Sequence, residues 1–549
     1  MEYSDGFGRL LQTRSQAEDV IFENSALDAD QEAPNAAATG IERSSEDPLN
    51  VVVSGHKVCN NKGKIVEQYE PYFSQGFAYA AAQKSEKGEK LSIYYDSLGR
   101  VVRTIKPDDS EERIIYGKPT QGLEQLKKFS PTPWENYSYD SNDLAPLTNP
   151  SSNVPSSHYY TPKSSLVDAL GRTIQTTEHQ AHYNADTEEY EDVVMKYKYD
   201  IRGNLLEVID PYDRKVFEYV YDLRAPQKDE NGEQQALPPL WTEHIDSGIS
   251  AVLYDVSGKP IESWDAKNAH SLTAYDTLQR PSYGWSQNNG SGTLRLTSHA
   301  IYGEEATNPK DSNLLGQIWQ QYDESGKTET QAFDFKANLI TKKQQLISSA
   351  ELKSALDNYS TYLVDWTSLP NILGTQEFVT NTEFDALNRI TKITLPENVN
   401  SERKEIVPTY NRAGALEKVN YDSIEYVKNI AYNAKGQRLL IAFGNDVMTR
   451  YTYSTTTFRL LRQKSEKYTY SQVGDAHIYT PESGTKRQDN AFDFDLAGNI
   501  LKILNRTTDC GISGSALGND ALDREFEYDP LYRINSAKGR ESDTQNEND

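Results

Sequence analysis

Tyr94-Tyr95-Asp96-Ser97-Leu98-Gly99-Arg100-Val101-Val102-Arg103-Thr104 is the stretch that decides the fold. It reads as strand, tight turn, strand. Tyr94 and Tyr95 are aromatic residues suited to a pleated, half-buried surface. Asp96 closes an Asx-type turn through its carboxylate, and Gly99 supplies the positive φ that a hairpin loop with a bulge requires. Arg100-Val101-Val102-Arg103 then opens the return strand.

The pattern recurs along the whole chain. Close copies are Val167-Asp168-Ala169-Leu170-Gly171-Arg172, Tyr199-Asp200-Ile201-Arg202-Gly203-Asn204, Tyr254-Asp255-Val256-Ser257-Gly258-Lys259, Tyr322-Asp323-Glu324-Ser325-Gly326-Lys327 and Phe494-Asp495-Leu496-Ala497-Gly498-Asn499. Asn stands for Asp in Tyr410-Asn411-Arg412-Ala413-Gly414 and in Tyr432-Asn433-Ala434-Lys435-Gly436-Gln437, which an Asx turn tolerates. In Phe384-Asp385-Ala386-Leu387-Asn388-Arg389, Asn388 takes the glycine position, as the next-best residue for a left-handed conformation. Looser copies are Tyr3–Arg9, Asn60–Lys64, Tyr275–Arg280, Phe333–Asn338 and Tyr528–Arg533.

One copy is noise, but this many form a repeat array, in which no unit buries its apolar face alone. Stacked hairpins complete one another's hydrogen bonds, and right-handed strand twist coils the growing ribbon. The expected fold is all-β: a hairpin ribbon coiled into part of a hollow shell, with a few short decorating helices and two open edges.

Composition agrees. Only 36% of the 549 residues are hydrophobic, yet Tyr alone contributes 36, which favours sheets with a wet face over a deep oily core. A formal net charge of −25 argues against a nucleic-acid partner, which needs a basic surface. Cys59 and Cys510 are too few and too far apart for a disulfide framework or a metal-ligand spacing. No apolar run approaches the ~20 residues of a membrane span, and Met1-Glu2-Tyr3-Ser4-Asp5 lacks the features of a secretory signal. The chain runs straight into a repeat-like turn at Asp5-Gly6-Phe7-Gly8-Arg9, as the middle of something larger does.

Residues 1–45 read as an irregular lead-in with one repeat-like turn, followed by an acidic loop through Asp19, Asp28, Asp30 and Glu32. Residues 46–539 form the repeat region. Within it, the Pro-, Ser-, Asn- and Tyr-rich stretch at about 130–163 reads as a loop or insertion. Gly122–Lys128 is expected to be a short helix, and Gln344–Asn358 has a helix-like period in Leu346, Ala350, Leu352 and Leu356. Residues 540–549 form a charged tail expected to be disordered.

Catalytic and metal signals all have plainer readings. Asp246-Ser247-Gly248 has the form of an aspartic-protease signature, but a single triplet followed by Ile249-Ser250 reads as a turn. His179 and His182, beside Glu178, are zinc-ligand types set in what reads as a hairpin loop. Asp489, Asp493 and Asp495 lack the ligand and glycine spacing of a calcium loop. No catalytic, cofactor-binding or metal residue is assigned, and no enzyme is expected. The residues singled out are structural turn positions: Asp96, Gly99, Arg100, Asp168, Gly171, Arg172, Asp200, Gly203, Asp255, Gly258, Asp323, Gly326, Asn433, Gly436, Asp495, Gly498 and Asp529.

The repeats resemble the YD or RHS repeats of bacterial polymorphic toxins. They are most similar to the RHS-bearing latter portion of the B component of the insecticidal toxin complexes (Tc toxins). The resemblance rests on Glu2–Arg14, Asp47–Gly55, Tyr432–Arg438, Thr457–Leu460, Tyr528–Arg533 and Gly539-Arg540-Glu541, and it runs over essentially the whole chain. It implies a secreted, structural virulence protein. In that family the B and C components form a hollow β-sheet cocoon around a cytotoxic C-terminal polypeptide, and the cocoon docks on a pore-forming A component. The implied partners are thus a C component with its RHS core and toxin tail, and an A component reached through upstream parts. Neither an SpvB-like segment, a docking propeller, a self-cleaving RHS core nor a toxin tail is recognisable in this sequence.

Two other readings make different demands. A carbohydrate-binding adhesin needs Trp134, Trp241, Trp264, Trp285, Trp319 and Trp366 to share an exposed groove. A β-solenoid enzyme acting on polysaccharide needs two carboxylates converging in a cleft.

Overall fold

One local rule builds most of the connections. At the organising hairpin the Asp96 N–H donates to the Arg100 carbonyl (2.9 Å), and the Gly99 N–H donates to the Asp96 carbonyl (3.1 Å). Gly99 sits at φ +79°, and the strand register slips by one residue just beyond it, between Val101 and Arg103. A four-residue turn followed by a left-handed residue and a bulge matches the twist of the two strands it joins. The computed structural model describes residues 1–22, 37–79, 88–180, 183–184, 189–190, 192–223, 238–288, 290, 292–348, 350, 364–368, 372–507 and 522–539. Strand accounts for 54% of the described residues and helix for 3%, so the described helices are too few to form a layer.

The chain divides into two compact units. One comprises 195–408 and 420–423, the other 1–194, 409–419 and 424–549. The first unit is an antiparallel meander in which each strand pairs with its neighbour in sequence. It includes Lys215–Tyr221, Pro239–His244, Gly248–Tyr254, Pro260–Trp264, His270–Tyr275 and Pro281–Gln287. Its strands are half-buried on both faces, and one small core gathers Leu296, Tyr322, Ile347, Val364 and the fully buried Trp366.

The second unit contains similar meanders together with a separate four-stranded sheet of Glu2–Ser4, Leu10–Gln16, Asn50–Ser54 and Tyr72–Gln75. Its long strand Leu460–Val473 branches. Arg462–Ser465 pair with Gln488–Phe494, whereas Tyr468–Val473 pair with Ala476–Pro481. Beyond Ala476–Pro481 lie Ala38–Glu42 and Val20–Phe22. Phe22, Leu440, Ala442, Met448, Tyr468 and Tyr479 form the core beside this branch. Next to them runs a buried ladder of charge. The Arg462 guanidinium clasps Asp489 through two bonds (2.7 and 3.0 Å), and Arg450 and Lys464 share Glu466. Buried ions are tolerated because each one is paired.

Several expected elements differ in the structure. Gly122–Lys128 is a run of turns, not a helix: Gly122 lies at φ +87°, and Lys118–Pro119 pairs with Phe129–Ser130 on either side. Leu123 and Leu126 supply the apolar period by packing against the Ile115, Tyr137, Tyr139 and Leu144 core. The 130–163 stretch holds a strand, Glu135–Tyr139, paired on both edges with Glu111–Tyr116 and Lys163–Val167. Gln344–Leu346 complete the strand Leu339–Leu346, and most of the expected helix after them lies outside the described residues. Residues 1–45 hold four paired strands, and the Asp323–Gly326 copy makes a two-residue hairpin without a bulge. The acidic positions 28, 30 and 32 and the tail 540–549 also lie outside the described residues.

Gly171 isolates the cost of the left-handed turn position, because a Cβ built there meets nothing within 4 Å while φ is +79°. Gly171→Ala is expected to destabilise by about 1–2 kcal/mol, and Gly171→Asn by less, read from denaturant unfolding midpoints. Equal effects for Ala and Asn would contradict a conformational origin.

Candidate functional site

The feature repeated often enough to carry function is the turn itself. In the Asp96 copy, carboxylate Oδ1 accepts the Leu98 and Arg100 N–H groups (both 2.9 Å), and Oδ2 accepts Arg100 Nε (2.8 Å). The same clasp closes on Arg172 from Asp168, on Arg280 from Asp276, on Arg389 from Asp385 and on Arg533 from Asp529. Where Asn ends the turn, its Nδ2 replaces the guanidinium, as at Asp200–Asn204 and Asp495–Asn499. Asn433 uses its own amide on Gln437 Oε1. Asp255 holds Ser257 and Lys259 N–H groups, and Asp323 holds the Ser325 N–H. Hydrogen bonding to the ionised form first, then the charge of the turn arginine, holds Asp96, Asp168 and Asp276 below the usual carboxylate range.

Gly203, Gly258 and Gly436 occupy the left-handed position, and Gly498 lies at φ +114°. Asp109, Asp213, Asn268, Gln279, Ala337, Asn388, Ser401 and Tyr532 take the same place without glycine. Sequence reading keyed to glycine therefore missed the turns starting at Lys106, Asp210, Asp265 and Asn398. At Asp210 the missing signal was Asp with Arg four residues later, since Asp210 clasps Arg214 as the others do.

At several repeats the tyrosine that ends the strand also has a defined partner. Its hydroxyl donates to the carbonyl of the residue that follows a preceding turn. The pairs are Tyr95 to Ile65 (2.7 Å), Tyr275 to Pro260 (2.8 Å), Tyr432 to Leu416 (2.8 Å) and Tyr528 to Ile500 (3.0 Å). Tyr302 does the same to Pro281 (2.9 Å), while Arg280 of that turn lies 3.7 Å from the Tyr302 ring centroid. The turn arginine thus serves its own aspartate with Nε and the next tyrosine with its flat face, which lysine does less well.

A strap from Asp140 to Thr161 ties the last two repeat turns. Asn142 Nδ2 donates to Asp495 Oδ2 (2.8 Å), and the Ala497 N–H donates to Asn142 Oδ1 (3.1 Å). Tyr532 donates to Asp140, and His158 Nε2 donates to the Tyr528 carbonyl (2.9 Å). Asp143 accepts the Asp140 and Thr161 N–H groups (2.8 and 2.7 Å). Burial first, then the neighbouring Asp140 carboxylate, pushes Asp143 up to about 7. Nothing local in the sequence announces this contact, because its partners lie more than 300 residues apart.

The remaining candidates do not converge on a catalytic centre. Asp246 sits in a turn whose Asp246 and Ser247 N–H groups donate to His244 Nδ1. His179 Nδ1 faces Asp192 (2.8 Å), and His182 lies outside the described residues. Asp489 is bound to Arg462, Asp493 to Asn153 and Asp495 to its own turn. Cys59 is free and Cys510 is outside the described residues. Trp134 lies in the second unit and the other five in the first, where Trp366 is fully buried and so closed to any exposed groove. Trp319 alternates with Gln320 and Tyr322 and so points away from the face on which Trp285, Tyr283, His299 and Tyr322 stack.

No family model matches the chain. Toxin subunit YenC2 of Yersinia entomophaga is 27% identical over 409 residues, covering 69% of this chain and 38% of that subunit. Toxin subunit YenC1 of the same organism is 26% identical over 397 residues, 70% of this chain and 38% of its own length. The chain therefore spans under two fifths of these curated relatives. Among solved structures, TcdB2-TccC3-Cdc42 superposes with a TM-score of 0.75 at 24% identity, over 98% of this chain and 23% of that one. TcdB2-TccC3-TEV gives 0.74 at 25% identity, with 98% and 23% covered. The Photorhabdus luminescens Tc holotoxin pore gives 0.74 at 24% identity, again covering 98% and 23%.

Two measurements test the ties described above. Tyr432→Phe removes only the hydroxyl that reaches Leu416 and is expected to cost about 1 kcal/mol, whereas Tyr212→Phe, on an exposed ring, costs nothing measurable. Equal melting temperatures for the two variants would remove the tie from the account. For Asp143, the folded carboxyl keeps its proton to about pH 7, while the unfolded one releases it near the ordinary aspartate value of 3.8. Its stabilising contribution is full below that lower value and is lost as pH rises through the upper one. The melting-temperature advantage of the native chain over Asp143→Asn should shrink as pH is raised from about 4 to about 8. A constant difference would show that Asp143 does not titrate in this window.

Proposed function

We propose that the chain is an RHS/YD-repeat segment of the kind found in toxin-complex B and C components, and that it is wall: part of a hollow β-sheet cocoon that encloses a cytotoxic polypeptide before delivery into a host cell. The observation that carries this reading is the tie, repeated at Tyr95, Tyr275, Tyr302, Tyr432 and Tyr528, between a tyrosine and a preceding turn. It lets hairpins tile indefinitely without a helical layer or a deep core. Half-burial on both faces of the meander suits a partition wet on either side.

In this reading residues 46–539 are the shell region, and the turn aspartates, glycines and arginines serve geometry, not catalysis. The partners are a C-type component carrying an RHS core and toxin tail, and an A-type translocation pore engaged by other parts of the assembly. The site of action is extracellular. No described helix is long and apolar enough to cross a membrane.

The test is to mix the chain with a C-type component that retains its toxic tail, then follow co-elution on size exclusion and protease protection of the tail. Co-elution with protection is the expected result. Co-elution without protection would leave a binding surface but no container. A folded chain that neither co-elutes nor protects would overturn the proposal.

A further inference from the structure

We infer that a cavity in the unit containing both chain ends is a recognition site for an organic cation, a guanidinium or ammonium head group. It opens between the small sheet of Val20–Phe22, Ala38–Glu42 and Ala476–Pro481 and the strand Ile424–Tyr432, and encloses about 800 Å³. This inference rests on its own geometry and is independent of the shell reading.

The clearest sign is a repeat turn that breaks the rule. In Asn411-Arg412-Ala413-Gly414-Ala415 the backbone turn is intact, since the Asn411 N–H donates to the Ala415 carbonyl and the Ala415 N–H donates to Asn411 Oδ1 (both 2.9 Å). The clasp is absent, as it is at Asp265–Ala269, because alanine stands where Arg, Asn or Gln closes other copies. Asn411 Nδ2 is released to donate to Glu18 Oε1 at the cavity wall (2.6 Å). Arg412 turns to Asp19 (3.1 Å). This copy spends its side chains on the cavity, not on the hairpin.

The lining has the chemistry of a cation site. Phe22, Tyr468 and Tyr479 form a buried aromatic wall, and Tyr470 packs on Tyr479 with centroids 5.0 Å apart. Aromatic faces attract cations, guanidinium above all. Two of the lining cations are already spent, Arg412 on Asp19 and Lys428 on Asp446. Among the described residues no cation lies within ion-pair distance of Glu18 or Glu417. These two carboxyls face a space far larger than a bare metal ion fills. A hard ion also calls for six to eight oxygens at close range, whereas rings and a pair of acids suit an organic cation.

Glu18 reports the unmet charge. Burial first, then Glu417, pushes it up to about 8. The titratable and charged groups around it are Glu417, Lys418, Asp19 with its partners Arg412 and Arg43, and Tyr432, with Glu425, the Lys428–Asp446 pair, His477 and Glu482 elsewhere on the cavity wall. A guanidinium entering beside Glu18 favours its carboxylate, so at pH 7 binding expels the proton to solvent. Apart from the O–H bond of Glu18, whose proton passes to water or buffer, no covalent bond is made or broken. Affinity therefore rises with pH through about 8 and levels above it.

Calorimetry on the whole chain tests this with two probes, agmatine and a blocked Gly-Arg-Gly peptide, together with the same peptide carrying citrulline as the neutral control. Binding of agmatine marks a site open to free amines. Binding of the arginine peptide with little by agmatine marks a polypeptide as the source; each result supports the site provided the citrulline peptide does not bind. Affinity should rise about tenfold between pH 7 and pH 9, the change in ionised Glu18 for a carboxyl near 8. The heat at pH 7 should vary with buffer ionisation as for release of up to one proton. Glu18→Gln, which keeps an acceptor for Asn411, should remove both the pH dependence and most of the affinity, and Glu417→Gln should weaken binding. No binding of either probe at millimolar concentration, or unchanged binding in both folded variants, overturns the proposal.

Discussion

The structure depends on one short-range constraint, the aspartate that holds both sides of a turn. Its two oxygens reach the N–H groups two and four residues on and the side chain of the fourth, so one carboxylate fixes the backbone and the first residue of the return strand together. A left-handed residue costs roughly 1–2 kcal/mol when it is not glycine. The chain nevertheless places Gln279, Ala337 and Tyr532 there. In each of those copies the aspartate clasp is present, on Arg280, Asn338 and Arg533. Glycine eases the turn, whereas in these copies the aspartate clasp holds it without glycine.

Tyrosine solves a second problem. A sheet without a helical layer needs side chains that are apolar along their length and polar at the tip. The ring covers the neighbouring strand while the hydroxyl satisfies a carbonyl at the start of an earlier strand. The deeper packing beside the branched strand follows another logic. There Arg450, Arg462, Lys464, Glu466 and Asp489 are nearly inaccessible to water, and paired charge replaces tyrosine between the layers.

What could be read from the sequence was what acts within six residues. The turns at Asp96, Asp168, Asp200 and Asp255 were legible because their determinants are adjacent. Those at Asp210 and Asp265 escaped because Asp213 and Asn268 do the work expected of glycine. Glu135–Tyr139 was hidden by a composition rich in Pro, Ser and Asn; it is a strand because two neighbours offer it hydrogen bonds. Gln344–Leu346 lie in a strand although their apolar spacing suits a helix, another case in which pairing overrides local preference. The strap and the cavity were illegible for a different reason. Asp143 and Glu18 acquire their character from burial and from acids that other segments bring near, and no window of sequence contains both parties.

The strap has a consequence in time. Hairpins that pair only with their neighbours in sequence can close as soon as each pair leaves the ribosome. Asn142 and Asp140 must wait for Asp495 and Tyr532, partners 353 and 392 residues further along. At typical synthesis rates of 5–20 residues per second that is roughly 20 to 80 seconds. For that interval the strap's carboxylates and amides remain in water, and the early hairpins stand as a ribbon with a free margin. Closure of the Asp495 and Asp529 turns is therefore also the event that fastens the strap, so that a chain broken off before them carries an unfastened strap far from the break.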